Sequence, residues 1–346
     1  MIIKRVAIMC GGRSSEHEIS CISAQGVLGA IDRSKYEPIV IGIRESDGAW
    51  FSLDLQSPFG KKSNGLPCVE NGAPVDLRTL GVDVVFPLLH GPYGEDGTIQ
   101  GLCEMMNIPY VGSGVLASAV AMDKSFAKPI FASNGLSVAR GMVLTQQEWK
   151  SNQKEAMSRA TELGFPLFVK PARSGSSRGT TKVKQADELS AAIEDALSHD
   201  PKVLIEVAVV GREIECGVLE INGSLHTSVV GEVRVLGNHE FYDFEAKYLD
   251  GSTEFDIPAK ISESESVLVQ AAAIKAFQAL GCEGLARVDF FLTHDGSLII
   301  NEINTMPGFT PKSVFPMLWK AQGKSYTEII SILIESALHR RQHVVR

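Results

Sequence analysis

Short, wholly apolar runs alternate along this chain with longer stretches whose apolar residues recur every three or four positions, the mark of strands joined by crossover helices. Arg5-Val6-Ala7-Ile8-Met9 is a strand ended by Gly11-Gly12, Glu16 to Ile31 a helix, and Pro38 to Ile43 a second strand. Val82 to Leu89 is another buried strand and Thr98 to Met106 another helix. Strand, helix, strand at this spacing predicts a parallel sheet. Segment 54–76, with three Pro and three Gly, reads as a surface loop and hairpin. The character changes near Met122-Asp123-Lys124: Gly164 to Pro171 is a strand entering a Gly/Ser-rich loop, Ala186 to His199 a helix, and Val203 to Glu206 a strand. From Glu213 to Glu220 the pattern has period two, as in a half-buried strand. Helices follow over Glu263 to Gly281 and from about Tyr326 to His339. The reading is α/β with three units: a Rossmann-like parallel-sheet unit over 1–121, then α+β units over 122–205 and 206–346.

The length of 346 residues suits two or three domains. A net charge of −8 argues against nucleic acid or an anionic membrane as partner, since either calls for a basic surface. No stretch approaches the about 18–20 apolar residues that span a bilayer, and the start lacks a signal-peptide core, so a cytoplasmic location is expected. Six scattered cysteines without CxxC spacing read as free, buried thiols. With no HExxH among the histidines, a zinc site is not expected.

Four segments carry candidate chemistry. Arg287 to Leu292 and Leu298 to Asn304 flank Asp295-Gly296, a two-residue hairpin signal. If that turn sets the register, His294 pairs with Ser297, Asp289 with Glu302, and Arg287 with Asn304, all four on one face. Two carboxylates and an amide oxygen there are hard ligands suited to Mg²⁺, whereas a salt-bridged sheet face is the alternative. Lys170 precedes the run Arg173-Ser174-Gly175-Ser176-Ser177-Arg178-Gly179, which can turn N–H groups and hydroxyls toward phosphate although it is not a Walker A loop. Gly11 to Ser20 and His90 to Gly97 each follow a strand, where open α/β sheets bind ligands, and Glu16 sits closest to its turn. Gly112-Ser113-Gly114-Val115-Leu116-Ala117 matches GxGxxA but lacks the acidic residue about 20 positions on, which argues against a nicotinamide site.

Together these segments resemble the D-alanine–D-alanine ligase family of the ATP-grasp superfamily. The resemblance rests on Gly11-Gly12-x-Ser14-x-Glu16-x-Glu18-x-Ser20, His90-Gly91-x-x-Gly94-Glu95-Asp96-Gly97, Met122-Asp123-Lys124, Val169-Lys170-Pro171 and Gly175-Ser176-Ser177. It continues through Tyr242 to Tyr248, Arg287-Val288-Asp289 and Asn301-Glu302-Ile303-Asn304-Thr305-x-Pro307-Gly308, in the family's order over nearly the whole chain.

The resemblance implies an ATP-grasp fold with ATP between the second and third units. Lys124 and Lys170 would hold its phosphates under the loop of Ser176 and Ser177, Glu206 and the residues after it would meet the adenine, and Glu213 the ribose. Asp289, Glu302 and Asn304 would bind two Mg²⁺ ions, with Mn²⁺ a plausible substitute. A lid over 239–251 would bring Lys247 to the γ-phosphate and Tyr248 toward Glu16 and Ser176. The first D-alanine would set its ammonium on Glu16 beside His90, and the second its carboxylate near Lys312 and Ser313. Arg287 and the Gly308 N–H would form the oxyanion hole. Position 312 departs from the pattern, being Lys where relatives often have His. A homodimer is the family's common state. A related ligase with other acceptors, or a non-catalytic nucleotide-binding protein, stands as the alternative; Glu16 and Tyr248 favour the dipeptide ligase over the first, and the full set of metal and phosphate residues opposes the second.

Overall fold

The computed structural model describes residues 2–175, 178–235 and 253–340. Three larger sheets organise them, beside a two-stranded hairpin of Gly60–Lys61 and Pro67–Cys68. The first has five strands in the order Ala73–Pro74, Trp50–Leu53, Tyr36–Ile43, Lys4–Gly11, Val84–Pro87. Lys4–Gly11 runs parallel to both of its neighbours. Its apolar residues serve two faces, as a parallel strand's must. Val6, Ile8 and Cys10 pack with the helices His17–Ala30 and Tyr326–His339, while Ala7 and Met9 pack with Thr98–Met106. The last helix therefore returns to cover the first sheet, starting at a capping box in which Ser325 and Glu328 exchange hydrogen bonds.

The second sheet is antiparallel, in the order Thr181–Val183, Leu167–Pro171, Lys202–Val207, Gly141–Thr145. Leu167, Val169, Val203 and Ile205 bury themselves under the helices Gln153–Thr161 and Leu189–His199. Period-two alternation then sends Phe168, Lys170 and Glu206 to the opposite face. The third sheet has six strands: Thr253–Asp256, Ser224–Val235, Gly211–Ile221, Leu285–Thr293, Leu298–Asn304, Ser137–Val138. Ile214, Cys216, Val288, Phe290 and Ile303 turn toward the helix Glu263–Ala279, leaving the polar partners of the alternation on the other face. Lys124–Ser133 and Ser137–Val138, grouped by a boundary at residue 122 with the central unit, pack on this third sheet, where Ala127 and Phe131 join its core. All six cysteines are buried and unpaired. Among the described residues, no helix is long and apolar enough to cross a membrane.

The hairpin of the third sheet departs from the expected turn. Thr293, not His294, faces Ser297: its N–H donates to the Ser297 carbonyl at 3.0 Å, and Gly296, at φ +80°, donates to the Thr293 carbonyl at 3.0 Å. The loop is thus His294-Asp295-Gly296, a three-residue form with its last residue left-handed. Pairing near the turn runs one residue out of step, with Phe290 opposite Ile300. A bulge at Asn301 then restores it, so Asp289 faces Glu302 and Arg287 faces Asn304 as expected.

Candidate active site

A cleft opens between the polar faces of the second and third sheets. Across three adjacent strands, Glu215 lies opposite Asp289 and Asp289 opposite Glu302. Carboxylates so placed repel one another unless cations intervene. Arg287 supplies one, its Nε 2.8 Å from Asp289 Oδ1, its Nη2 2.7 Å from Oδ2, and its Nε 3.1 Å from Glu215 Oε2. Lys124 supplies another, with Nζ 2.9 Å from Glu302 Oε2 and donating to the Ser174 carbonyl at 3.1 Å. The Asn304 amide donates to Asp289 Oδ2 at 3.0 Å.

The second sheet answers with its own charges. Phe168 pairs with Glu206 and Lys170 with Leu204, so Lys170 and Glu206 are diagonal neighbours on one face. Lys170 Nζ lies 2.8 Å from Glu206 Oε2 and donates to Asn301 Oδ1 at 3.3 Å. Lys128, one helical turn beyond Lys124, places its Nζ 2.7 Å from Glu206 Oε1. Burial works against a charge on Glu206, but the ammonium groups of Lys170 and Lys128 outweigh it and hold the carboxyl below its ordinary range. Burial, reinforced by the charge of Lys170, pushes Lys128 down to about 8. Lys124 is buried too, yet Glu302 more than offsets that and raises it. Glu206, expected at the adenine, thus has its side chain on two lysines, and Val207 to Gly211 with Glu213 line the cleft beyond it.

Asp289, Glu302, Asn301 and Asn304 offer hard oxygens from two adjacent strands, the donor chemistry Mg²⁺ takes. Among the described residues no group of three His, Cys, Asp or Glu is arranged to hold an ion alone. A metal here therefore needs the asparagine amides and the oxygens of its own ligand.

The second cavity opens beside Glu16, the residue that starts the helix His17–Ala30. Glu16 is buried, its N–H donating to Ser14 Oγ at 3.3 Å, and Ser14 in turn donates to the His90 carbonyl at 2.8 Å. Gly91 (φ +75°) and Gly175 press close: a Cβ at either would stand 2.7 Å or 3.3 Å from Glu16 Oε2. Three separate motifs meet at this one carboxylate. His90 Nδ1 lies 3.2 Å from the Met306 carbonyl and Nε2 2.9 Å from Ser23 Oγ. A carbonyl only accepts, so Nδ1 carries the proton and Nε2 accepts from the serine. Burial lowers the His90 pKa, in keeping with this neutral form. Glu95, which accepts from the Gly91 N–H at 2.9 Å, is pushed up to about 8 by burial and by the charge of Glu16. Gly308, Lys312 and Ser313 line the far side, where Ser313 Oγ accepts from the Thr310 N–H at 3.0 Å.

The two cavities share Lys124, Ser174, Arg287 and Glu302. Ser176, Ser177, Lys247, Tyr248 and the 239–251 segment lie outside the described residues. Reasoning from the sequence missed Lys128, Glu215 and Asn301. For Glu215 the signal was present, since it stands two residues from Glu213 in a period-two strand. For Lys128 it was the four-residue spacing from Lys124.

The family model described as D-ala D-ala ligase N-terminus matches residues 5–113, and the one described as D-ala D-ala ligase C-terminus matches 130–335. The D-alanine–D-alanine ligase of Paenarthrobacter aurescens is 50% identical over 362 residues, covering 97% of this chain and 96% of its own. Among solved structures, the VanG D-Ala:D-Ser ligase from Enterococcus faecalis superposes with TM-score 0.83 at 36% identity, over 97% of this chain and all (100%) of its own. The D-alanine-D-alanine ligase from Coxiella burnetii superposes with TM-score 0.80 at 32% identity, over 97% of this chain and 94% of its own. With a cleft sharing residues with a pocket around a buried glutamate, and similarity over 97% of its length, the chain belongs to the D-alanine–D-alanine ligase family of ATP-grasp enzymes.

Proposed function

We propose that this protein joins two D-alanines into D-alanyl-D-alanine with conversion of ATP to ADP and phosphate, supplying a peptidoglycan precursor. One observation carries the reading: the phosphate-side cleft and the Glu16 pocket meet at Lys124, Arg287 and Glu302, where a carboxylate and a γ-phosphate can be brought together. Glu16 holds the ammonium of the first D-alanine, and a carboxylate oxygen of that D-alanine bonds to the γ-phosphorus as the bond from the γ-phosphorus to the oxygen bridging it to the β-phosphate breaks. Lys124 and Lys170 neutralise the charge on the transferring group, the main contribution a protein makes to phosphoryl transfer. To do so each exchanges its present carboxylate, Glu302 or Glu206, for phosphate oxygens. Asp289, Glu302 and Asn304 would hold Mg²⁺, which supplies further charge neutralisation at the phosphates.

The second D-alanine binds near Ser313 and Lys312. Its amine, having lost a proton, attacks the acyl carbon, and phosphate leaves. Arg287, held in place by Asp289 and Glu215, and the Gly308 N–H stabilise the oxyanion. Ser176, Ser177, Lys247 and Tyr248 complete this reading as phosphate and lid contacts, Glu213 as the ribose contact, with a cytoplasmic homodimer as the working assembly. The test is ADP release with MgATP and D-alanine, L-alanine, or D-alanine with D-serine or D-lactate, with products identified by mass. ADP released with D-alanine alone, together with the dipeptide mass, is the expected result. ATP bound without turnover on D-alanine would overturn it.

A further inference from the structure

The segment read as a surface loop does more than connect strands. Gly60–Lys61 and Pro67–Cys68 form a small hairpin whose tip carries Asn64 and Leu66 into the lining of the amino-acid pocket, alongside Ile19 and Ile22 of the helix that starts after Glu16. Leu66 remains 36% exposed there, an apolar side chain in the lining of the pocket. The hairpin is tied down at three points. Lys62 forms ion pairs with Glu18 and with Glu45. The Val69 N–H donates to His17 Nε2 at 3.0 Å, while His17 Nδ1 meets the Gly12 carbonyl at 2.8 Å, so the ring is a neutral bridge between hairpin and motif. Two of the three anchoring side chains, His17 and Glu18, belong to the residues that directly follow Glu16.

We infer that this hairpin is a wall of the amino-acid pocket, with Leu66 limiting side-chain size and Lys62 a positioning residue that keeps the wall closed through Glu18 and Glu45. The inference rests on the proposed reaction. Leu66, Ile19 and Ile22 present an apolar surface suited to a methyl group, and a wall on this side of the cavity rejects larger D-amino acids by steric exclusion. One methylene in such a pocket is worth about 10–200-fold in selectivity. The experiment compares wild type, Leu66→Ala, Lys62→Gln and Lys62→Arg for ADP release with D-alanine alone and with D-alanine plus D-2-aminobutyrate or D-norvaline, with dipeptides identified by mass. Leu66→Ala is expected to form mixed dipeptides at least about tenfold faster than wild type. Lys62→Gln is expected to raise KM for D-alanine several-fold with kcat and KM for ATP unchanged, and Lys62→Arg to restore it. Leu66→Ala with wild-type selectivity, or Lys62→Gln lowering kcat and thermal stability without a change in KM for D-alanine, would overturn the wall. Wild type inactive on D-alanine would instead overturn the reaction itself.

Discussion

The two ends of the active site are built in opposite ways. At the phosphate end, Asp289, Glu302, Arg287 and Asn304 come from one hairpin, and their juxtaposition follows from strand register. At the amino-acid end, Glu16, His90, Gly175 and Met306 come from four distant stretches of chain and meet only because the sheets and helices pack. A register is set over a few residues and tolerates change elsewhere. An assembly of loops depends on every contact that holds the loops together. Charge is handled differently too: the phosphate end balances carboxylates with Arg287, Lys124 and Lys170, while the amino-acid end keeps Glu95 and His90 neutral by burial.

The sharpest way to break the phosphate end is Glu302→Gln, which keeps the shape but removes a charge that pairs with Lys124 and that is proposed to help hold Mg²⁺. Turnover should fall by about three orders of magnitude, the weight of several kcal/mol at the transition state, with the circular dichroism unchanged. Near-normal ADP release would detach Glu302 from the chemistry. Glu16→Gln probes the other end: KM for D-alanine should rise roughly 100-fold, as for loss of a charged hydrogen bond of about 2–3 kcal/mol, while KM for ATP stays put. If both KM values rose together, the two ends would not be separable.

Smaller effects sharpen the contrast. Glu95 has its folded pKa raised to about 8, above the ordinary 4.5. An acid shifted this way favours the fold while protonated, so stability falls as pH climbs from about 4.5 to about 8 and levels off beyond. Glu95→Gln keeps the neutral shape and should raise Tm at pH 8 while leaving it unchanged at pH 4.5; equal shifts at both would mean that Glu95 is not held neutral. Lys312 is exposed at the proposed second subsite, and Lys312→His should change KM for the second D-alanine by no more than about threefold, as surface charges usually act weakly. A larger change would make residue 312 a specificity determinant.

Much of the phosphate end was legible in the sequence, although by a route that needed two departures to cancel. The Asp295-Gly296 turn has three loop residues rather than two, and the bulge at Asn301 makes up the missing step. Asn301 itself, which meets Lys170, could not be read because a bulge leaves no mark in an alternating pattern. Segment 54–76 was read as loop, and its short strands are too brief to show a period. That its tip reaches the pocket depends on Lys62 finding Glu18 and Glu45, partners 44 and 17 residues away.

What the sequence by itself determined was the alternation of apolar and polar positions, and with it which side chains share a face of each strand and helix. That set Arg287 and Asp289 on one face of their strand, Lys170 away from the core, and Lys128 in line with Lys124. Tertiary packing alone decided which faces meet. Glu206 lies between two lysines, His90 spans from Ser23 to Met306, and the last helix covers the first sheet because buried charges and apolar faces must find partners wherever the chain supplies them. Periodicity is local and written in a dozen residues; pairing between distant surfaces is a property of the whole folded chain.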